Sequence, residues 1–457
     1  MAIVGGGAAG LATAIFTRRD RPTLSVLVLE GAKKPGAKIL VSGGARCNVT
    51  NVRVAESDFW GGRRAIVRRV LRALSVRATI DFFQEIGVPL HEEADGKLFP
   101  DSNRARDVLD RLLAEAAHVG VALQNDTRVV ALVRAPEGFR LSTSGGSILA
   151  RTVVLATGGR SLPKSGSDGQ GYELAKGLGH TIVPTTPALV PLVLEQHGHH
   201  SSLAPGPHPR RELTPTPRVG SSNPPLGVAA GAPALPALPA MPALPALSGL
   251  SVNAELTVWI DGTVAERLCG SLLWTHFGIS GPVVLNASRH WARADLEGRT
   301  VGVSLNYFPG EDFEAVEHRL TRLALERPRA QLLTGLTTWL PAALAGAVLE
   351  GLGIAPDQVL AHLPRDVRRQ LTHALTATTL AVAGTRGYTV AEATAGGIAL
   401  DEIDPATMES RVCGGLYLVG EVLDVDGKIG GFNFQWAWAS GRAAARALAR
   451  LPPAPSR

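Results

Sequence analysis

At 457 residues, 45% hydrophobic and 19% charged with a mean hydropathy of +0.12, the chain has room for two or three cored domains and is not a disordered polymer. A net charge of +6 and a pI of about 9.5 permit an anionic ligand without demanding nucleic acid, and the basic residues are mostly arginine, a bias of composition rather than function. Three isolated cysteines, Cys47, Cys269 and Cys413, form no CxxC pair, which excludes a disulfide scaffold and fits a reducing cytoplasm.

Ala2, Ile3 and Val4 read as a short buried strand, so no leader peptide is expected ahead of them. Gly5-Gly6-Gly7-Ala8-Ala9-Gly10 follows at once, then helical periodicity over 11–19, then a second apolar strand over 25–29 ending in Glu30. Strand, glycine turn, helix, strand and acid in that order make a dinucleotide-binding βαβ unit. Gly5 permits the tight turn, Gly7 lets backbone approach a pyrophosphate, and Gly10 allows close packing of helix on strand. The helix N-terminus then faces phosphate charge, and Glu30, 20 residues past Gly10, stands where a carboxylate accepts from a ribose. The plainer reading is a tight turn in an α/β core.

A basic turn at 31–38 leads into the polar, glycine-containing loop 42–51, whose Asn48-Val49-Thr50 sequon has no meaning in a cytoplasmic protein. Arg64, Arg68 and Arg72 share one face of an expected helix, with Val67, Val70, Leu71 and Leu74 on another. A solvated helix face is the default reading, and a polyanion-binding strip the alternative. Helices are expected over 77–86 and 103–117, and Leu123, 128–133, 139–142 and 148–150 read as strands of a small β-meander. Residues 152–159 are a buried strand running into Ala156, Thr157, Gly158 and Gly159, where backbone can approach a ligand or simply turn. Paired with the N-terminal turn, this stretch points to FAD enzymes with two dinucleotide motifs rather than to a plain NAD domain.

Strand-like patterning resumes at 184–194 and 251–260, on either side of an insertion at about 196–250. No charge occurs from 219 to 254, yet Pro233, Pro236, Pro239, Pro242 and Pro245 recur every third residue, which excludes a transmembrane helix and predicts an extended, solvated loop. His197, His199 and His200 lack accompanying acids or cysteines, so no metal is expected. Residues 274–282 read as a loop before a helix, 301–307 as a strand, 312–377 as a helical lobe, and 380–382 as strand again. Near the C-terminus, 415–421 is a strand ending in Gly420 and Glu421, and Gly430-Gly431 opens a long helix through Ala449. Such an acid can bond a ribityl hydroxyl, and such a helix start aims N–H groups at a flavin oxygen; the plain alternative is a strand–helix pair completing the sheet.

With GGGAAG at 5–10, SGGARCNVTN at 42–51, ATGG at 156–159, GSDGQGY at 166–172, THFGISGP at 275–282 and GEVLDVDGKIGGFNFQWAWASG at 420–441, the chain resembles the HI0933-like flavoproteins. That group includes aminoacetone oxidases and flavin-dependent reductases of unsaturated steroid-type substrates. The resemblance implies an α/β fold: a Rossmann-like FAD-binding domain from both chain ends, 1–187 and 381–457, with a β-barrel-like insert at 188–310 and a helical lobe at 311–380. It further implies that Gly5, Gly7, Ala8, Ala9 and Gly10 hold the pyrophosphate, and that Glu30 with Gly31 holds the adenosine ribose. By the same token Lys38, Ser42, Gly43, Arg46 and Asn48 run along the cofactor towards the flavin, and Val129 meets adenine through its backbone. Ala156, Thr157 and Gly158 line the cofactor, Gly420, Glu421, Gly431, Phe432 and Asn433 hold the ribityl chain and flavin, and His276 faces the ring from the substrate side. Ala45 stands where the family has glycine and Leu162 where it has tyrosine; Ala45 is tolerated unless the loop requires a positive φ there.

The expected function is hydride transfer between FAD and a small organic substrate or a transient NAD(P)H. His276 is a candidate proton donor or acceptor and Cys47 a candidate redox partner, although a lone cysteine in a packed loop is more often structural. A small-molecule substrate is the expected partner, with neither membrane nor nucleic acid. An RNA-modifying or RNA-binding flavoprotein and a non-catalytic flavin redox sensor are the rival readings.

Overall fold

The computed structural model describes residues 1–195 and 244–452. The Pro-rich segment up to 243, with His197, His199 and His200, lies outside the described residues. The strand expected over 251–260 is present as Ser251–Ile260, and just before it Leu247, inside the expected loop, is buried in a hydrophobic core.

A five-stranded parallel sheet carries the first core, in the order Leu416–Leu418, Val153–Leu155, Ala2–Val4, Leu27–Leu29, Ala122–Gln124. The three central segments are wholly apolar because they lie buried inside a parallel sheet, and the core around them takes in residues of the flanking helices and of Leu132, Phe139 and Leu141. The chain's last long strand–helix pair thus lies close to its first. Helix Phe432–Ala449 packs on helix Ala8–Asp20, and the bare Gly441 makes this possible: a Cβ there would stand 3.0 Å from the Ala9 carbonyl oxygen. Trp436 and Trp438 are fully buried from the same helix, and their indole N–H groups donate to Gly420 O and Val49 O. Leu123 is a correction: it joins the parallel sheet opposite Val28, and the meander consists of Val129–Ala135, Gly138–Thr143 and Gly146–Ala150 alone.

The second core is built on a seven-stranded antiparallel sheet. Its two edge strands, Thr378–Leu380 and Val382–Thr385, are separated only by Ala381, so the sheet curls until its edges meet, a barrel-like arrangement. The 274–282 stretch is not a loop: Thr263–Thr275 and Gly278–Ser280 form a hairpin that leads into helix Pro282–Leu296. Gly278 is required there, because a Cβ would meet Leu192 O at 2.3 Å in a backbone with φ +152°. Helices Phe313–Glu326, Leu332–Leu336, Ala342–Gly351 and Arg365–Thr376 pack on this core. A buried pair joins it to the first core: Arg289 Nε donates to Asp426 Oδ2 at 2.6 Å and Nη2 to Oδ1 at 2.9 Å.

Candidate functional site

A cavity of about 950 Å³ runs along the C-terminal ends of the parallel strands. That is the end of such a sheet where ligands bind, and the volume lies at the top of the small-molecule range of roughly 300–1,000 Å³. The glycine turn forms part of its wall. Gly5 has φ +108°, and a Cβ on it would meet the Ala156 carbonyl oxygen at 2.4 Å, so only glycine fits. Gly7 is the uncapped N-cap of the first helix, and a Cβ there would meet nothing within 4 Å, since it would stand in the cavity. First-turn amides at an uncapped terminus lack intrahelical acceptors, and this terminus opens to the cavity at Ala8 and Ala9. The Glu30 carboxylate holds the turn, accepting from Gly6 N–H at 2.8 Å and Ala32 N–H at 2.9 Å.

Lys38 is anchored by Glu421 at 2.5 Å and donates also to Ser161 Oγ. Glu421 accepts in turn from Ser161 Oγ at 2.8 Å and Thr394 N–H at 2.9 Å. Gly430 and Gly431, at φ +118° and +92°, open the last helix without a side-chain cap. A Cβ on Gly431 would lie 2.4 Å from Thr50 backbone. With its carboxamide oriented to satisfy its neighbours, Asn48 accepts from Gly431 N–H and donates to Leu98 O and Thr50 O. Asn433 faces the cavity but spends its side chain on Gly427 N–H and C=O. Helix Ala37–Ala45 breaks at Ser42, Gly43 and Gly44, so the glycine-containing loop is indeed non-helical from Ser42. Arg46 lies 4.0 Å over the Phe99 ring and bonds Glu93 at 2.6 Å.

The lining takes in Gly5, Gly7, Ala8, Ala9, Glu30, Gly31, Lys38, Ser42, Gly43, Arg46, Asn48, Val129, Ala156, Thr157, Gly158, Gly420, Glu421, Gly431 and Asn433. Four of the residues singled out in the sequence lie off it. Gly10 packs against Gly5, where a Cβ would come within 2.0 Å of the carbonyl oxygen, and Phe432 is buried against Phe59. Cys47 is fully buried, and that burial, partly offset by a hydrogen bond with Ser42, pushes its thiol up to about 12; it is held as a thiol, not a thiolate. His276 sits exposed at the hairpin tip with its ring edge on Phe277, outside the lining.

Other lining residues carried no motif in the sequence, among them Arg128, Leu189, Val390 and Glu392, and Lys428 lay inside the 420–441 motif without being singled out. The nearby Gly396-Gly397 pair inside a strand does mark a close backbone approach, a Cβ on Gly396 meeting Pro184 O at 2.4 Å, but it does not single out Glu392. One arrangement is a false lead. Glu402, His180 and Ser410 form a hydrogen-bonded chain of 2.7 and 2.8 Å, but Ser410 Oγ already accepts from Val412 and Cys413 N–H and lies off the cavity.

A glycine turn at a parallel-sheet end, a ribose-type acid and a second glycine pair opening the last helix define a Rossmann-fold flavoprotein of the oxidoreductase class. The chain belongs to the HI0933-like family: the HI0933-like protein Rossmann domain model matches residues 1–447. It is 33% identical over 450 residues to a 3-dehydro-bile acid delta(4,6)-reductase from Clostridium scindens, covering 98% of this chain and 99% of the relative. It is 32% identical to a ribosomal RNA dihydrouridine synthase from Escherichia coli, covering 98% and 97%. Among solved structures, an open flavocytochrome c3 fumarate reductase is similar at 15% identity and a TM-score of 0.46, covering 98% of this chain and 78% of that one. Among the described residues no helix is long and apolar enough to cross a membrane.

Proposed function

We propose that this chain is an FAD-dependent reductase that passes a hydride, received from NAD(P)H, to a carbon–carbon double bond conjugated with a carbonyl. FAD bound along the cavity would supply the hydride chemistry. The single observation that carries the reading is one cavity whose wall takes in the Gly5–Gly7 turn, Lys38, Glu421 and the apolar Leu162, Leu189 and Val390. The residues fit the dinucleotide: Gly7 leaves room where a side chain would project, helix amides are open towards the pyrophosphate, and Glu30 and Glu421 offer carboxylate acceptors to ribose and ribityl hydroxyls. In this reading segments 1–187 and 381–457 hold the cofactor, while 188–310 and 311–380 cover it.

The two named relatives support the acceptor class. A 3-dehydro steroid unsaturated at positions 4 and 6 and a uracil ring both conjugate a C=C bond to a carbonyl. A uracil base in RNA is the second reading, favoured by the exposed faces of Arg64, Arg68, Arg69 and Arg72 on helix Arg64–Leu71 and its C-cap. Anaerobic stopped-flow mixing of the yellow holoenzyme with NADH, NADPH and small amines, then with conjugated ketones or uridine-containing RNA, separates these readings. Reduction by a nicotinamide and reoxidation by an enone is the expected outcome. Reduction by amines alone, with reoxidation by oxygen, would make it an oxidase. Failure of every donor would remove both assignments, and a steep loss of RNA reduction with salt would favour the second reading.

A further inference from the structure

The cavity holds four carboxyl groups, and among the described residues three are tied. Glu30 holds Gly6 and Ala32, Asp168 bonds Arg128 and Gln170 N–H, and Glu421 bonds Lys38, Ser161 and Thr394. Glu392 is the exception: its backbone is fixed, N–H to Leu189 O at 3.1 Å and C=O from Ser161 Oγ at 3.4 Å, but its carboxyl has no hydrogen-bond or ion-pair partner among the described residues. The side chain is exposed, and what it is exposed to is the cavity. We propose that Glu392 is the acid that protonates the conjugated carbonyl substrate in this cavity.

The surroundings suit that role. Leu162, Leu189 and Val390 line the same cavity and would exclude water once a substrate enters. Burial raises the Glu392 carboxyl above its ordinary range, opposed by the charge of Lys38, so it keeps its proton to a higher pH than an ordinary glutamate does. Charged groups on the elements around it are committed elsewhere: Lys38 to Glu421, Arg160 over Tyr172, and Arg386 over Phe277. Lys164, on the short turn after Leu162, also lines the cavity.

The step balances. The carbon β to the carbonyl gains a hydride, two electrons and one proton, from the reduced cofactor. The π pair of the double bond shifts to the α carbon and bonds the proton that leaves Glu392. The resulting carboxylate regains a proton from water, and the carbonyl is unchanged overall.

This inference rests on the reductase reading, and the experiment keeps the two apart. Holoenzymes of wild type, Glu392→Gln and Glu392→Asp are compared, each with its flavin-to-protein ratio and spectrum measured first. After reduction, wild type should be reoxidised by cyclohexenone, with Glu392→Gln slower by about 100-fold or more and Glu392→Asp in between, as loss of a general acid predicts. In oxidised enzyme, phenol binding read from the flavin absorbance should weaken in wild type and Glu392→Asp as pH rises and the carboxyl ionises. In Glu392→Gln, which always presents an amide donor, phenol binding should not change. Wild-type reoxidation matched by Glu392→Gln, or identical phenol pH profiles, overturns the role of Glu392 alone. Wild type that is reduced but never reoxidised by cyclohexenone overturns the enone reading, and this proposal with it.

Discussion

Ala45 carries a methyl group where the backbone is left-handed, at φ +66°, immediately after Gly43 and Gly44 have turned the same way. An L-residue there costs roughly 1–2 kcal/mol, while glycine would give back about 0.4–1 kcal/mol through a looser unfolded chain. Ala45 is exposed and makes no core contact, so those two terms decide the sign. Ala45→Gly is therefore expected to raise stability by about 0.5 kcal/mol, where an Ala→Gly change at an ordinary position lowers it. A lowered urea midpoint would mean that the loop is not left-handed at this residue. The same scale decides what could be read from the sequence. Gly5 and Gly10 were legible because their constraint is local: each Cβ would strike backbone a few residues away in the βαβ unit or across one strand. Glu392 was not legible, because nothing in Ala391-Glu392-Ala393 reveals that chain folding leaves its carboxyl without a partner in a cavity. Cys47 stood in the sequence as a lone cysteine in a packed loop, a redox candidate but more often structural, and tertiary packing buries it completely.

Helix Pro282–Leu296 illustrates how an element's buried face sets a pH response. Its Val283, Val284, Ala287 and Trp291 enter the second core, which turns His290 into a crevice against the Trp60 ring, with centroids 5.2 Å apart. Burial, reinforced by the Arg289 charge, lowers the His290 imidazole to about 4. Glu266, 3.8 Å from Nε2, would favour the cation, but it is itself partly exposed and does not offset the burial. Because the folded value lies below the unfolded one of roughly 6.5, the unfolded chain binds more protons between those values. Stability is thus complete above about pH 6.5 and falls as pH drops through that window, by up to about 3 kcal/mol near pH 4. Replacing His290 with glutamine should flatten that part of the pH–stability curve in urea titrations. An unchanged acid limb would show that His290 is solvated or paired in the native state. The hairpin before this helix was misread as a loop because Gly278 and Gly281 carry turn signals, although both glycines are there to let strands approach. Helices 76–85 and 105–118 were legible to within two residues because amphipathic spacing is set within each segment, whereas helix 64–71 stops three residues short of the Leu74 placed on it.

At the scale of the molecule, the chain's two ends build one core and its middle builds another, and the junction between them is polar as well as apolar. The parallel sheet and the strand–helix pairs that flank the cavity could be anticipated from apolar runs ending in glycine. The order of the antiparallel strands could not, since it depends on pairings between segments more than a hundred residues apart, such as Leu192 with Thr385. Nor was there a sign in the sequence that Arg289 and Asp426 meet across 137 positions. Their bidentate pair is stacked on Trp60, with Arg289 4.9 Å over the ring and Asp426 almost wholly buried. Asp424, two residues away, is raised by burial and by the Asp426 charge and opposed by Arg293 and then Arg289, so Arg289 acts on both neighbouring carboxyls. Removing one member of such a pair leaves an uncompensated buried charge, at a cost of about 3–5 kcal/mol, whereas replacing both by apolar groups of similar volume can be nearly neutral. Arg289→Met is accordingly expected to lower the unfolding free energy by about 3 kcal/mol or more, and Arg289→Met with Asp426→Leu to recover most of the loss. If the single variant unfolds within about 0.5 kcal/mol of wild type, the ion pair does not tie the two cores together. Leu285, packed with Leu189 and Ala393 beside Ile429, would then hold the junction without it.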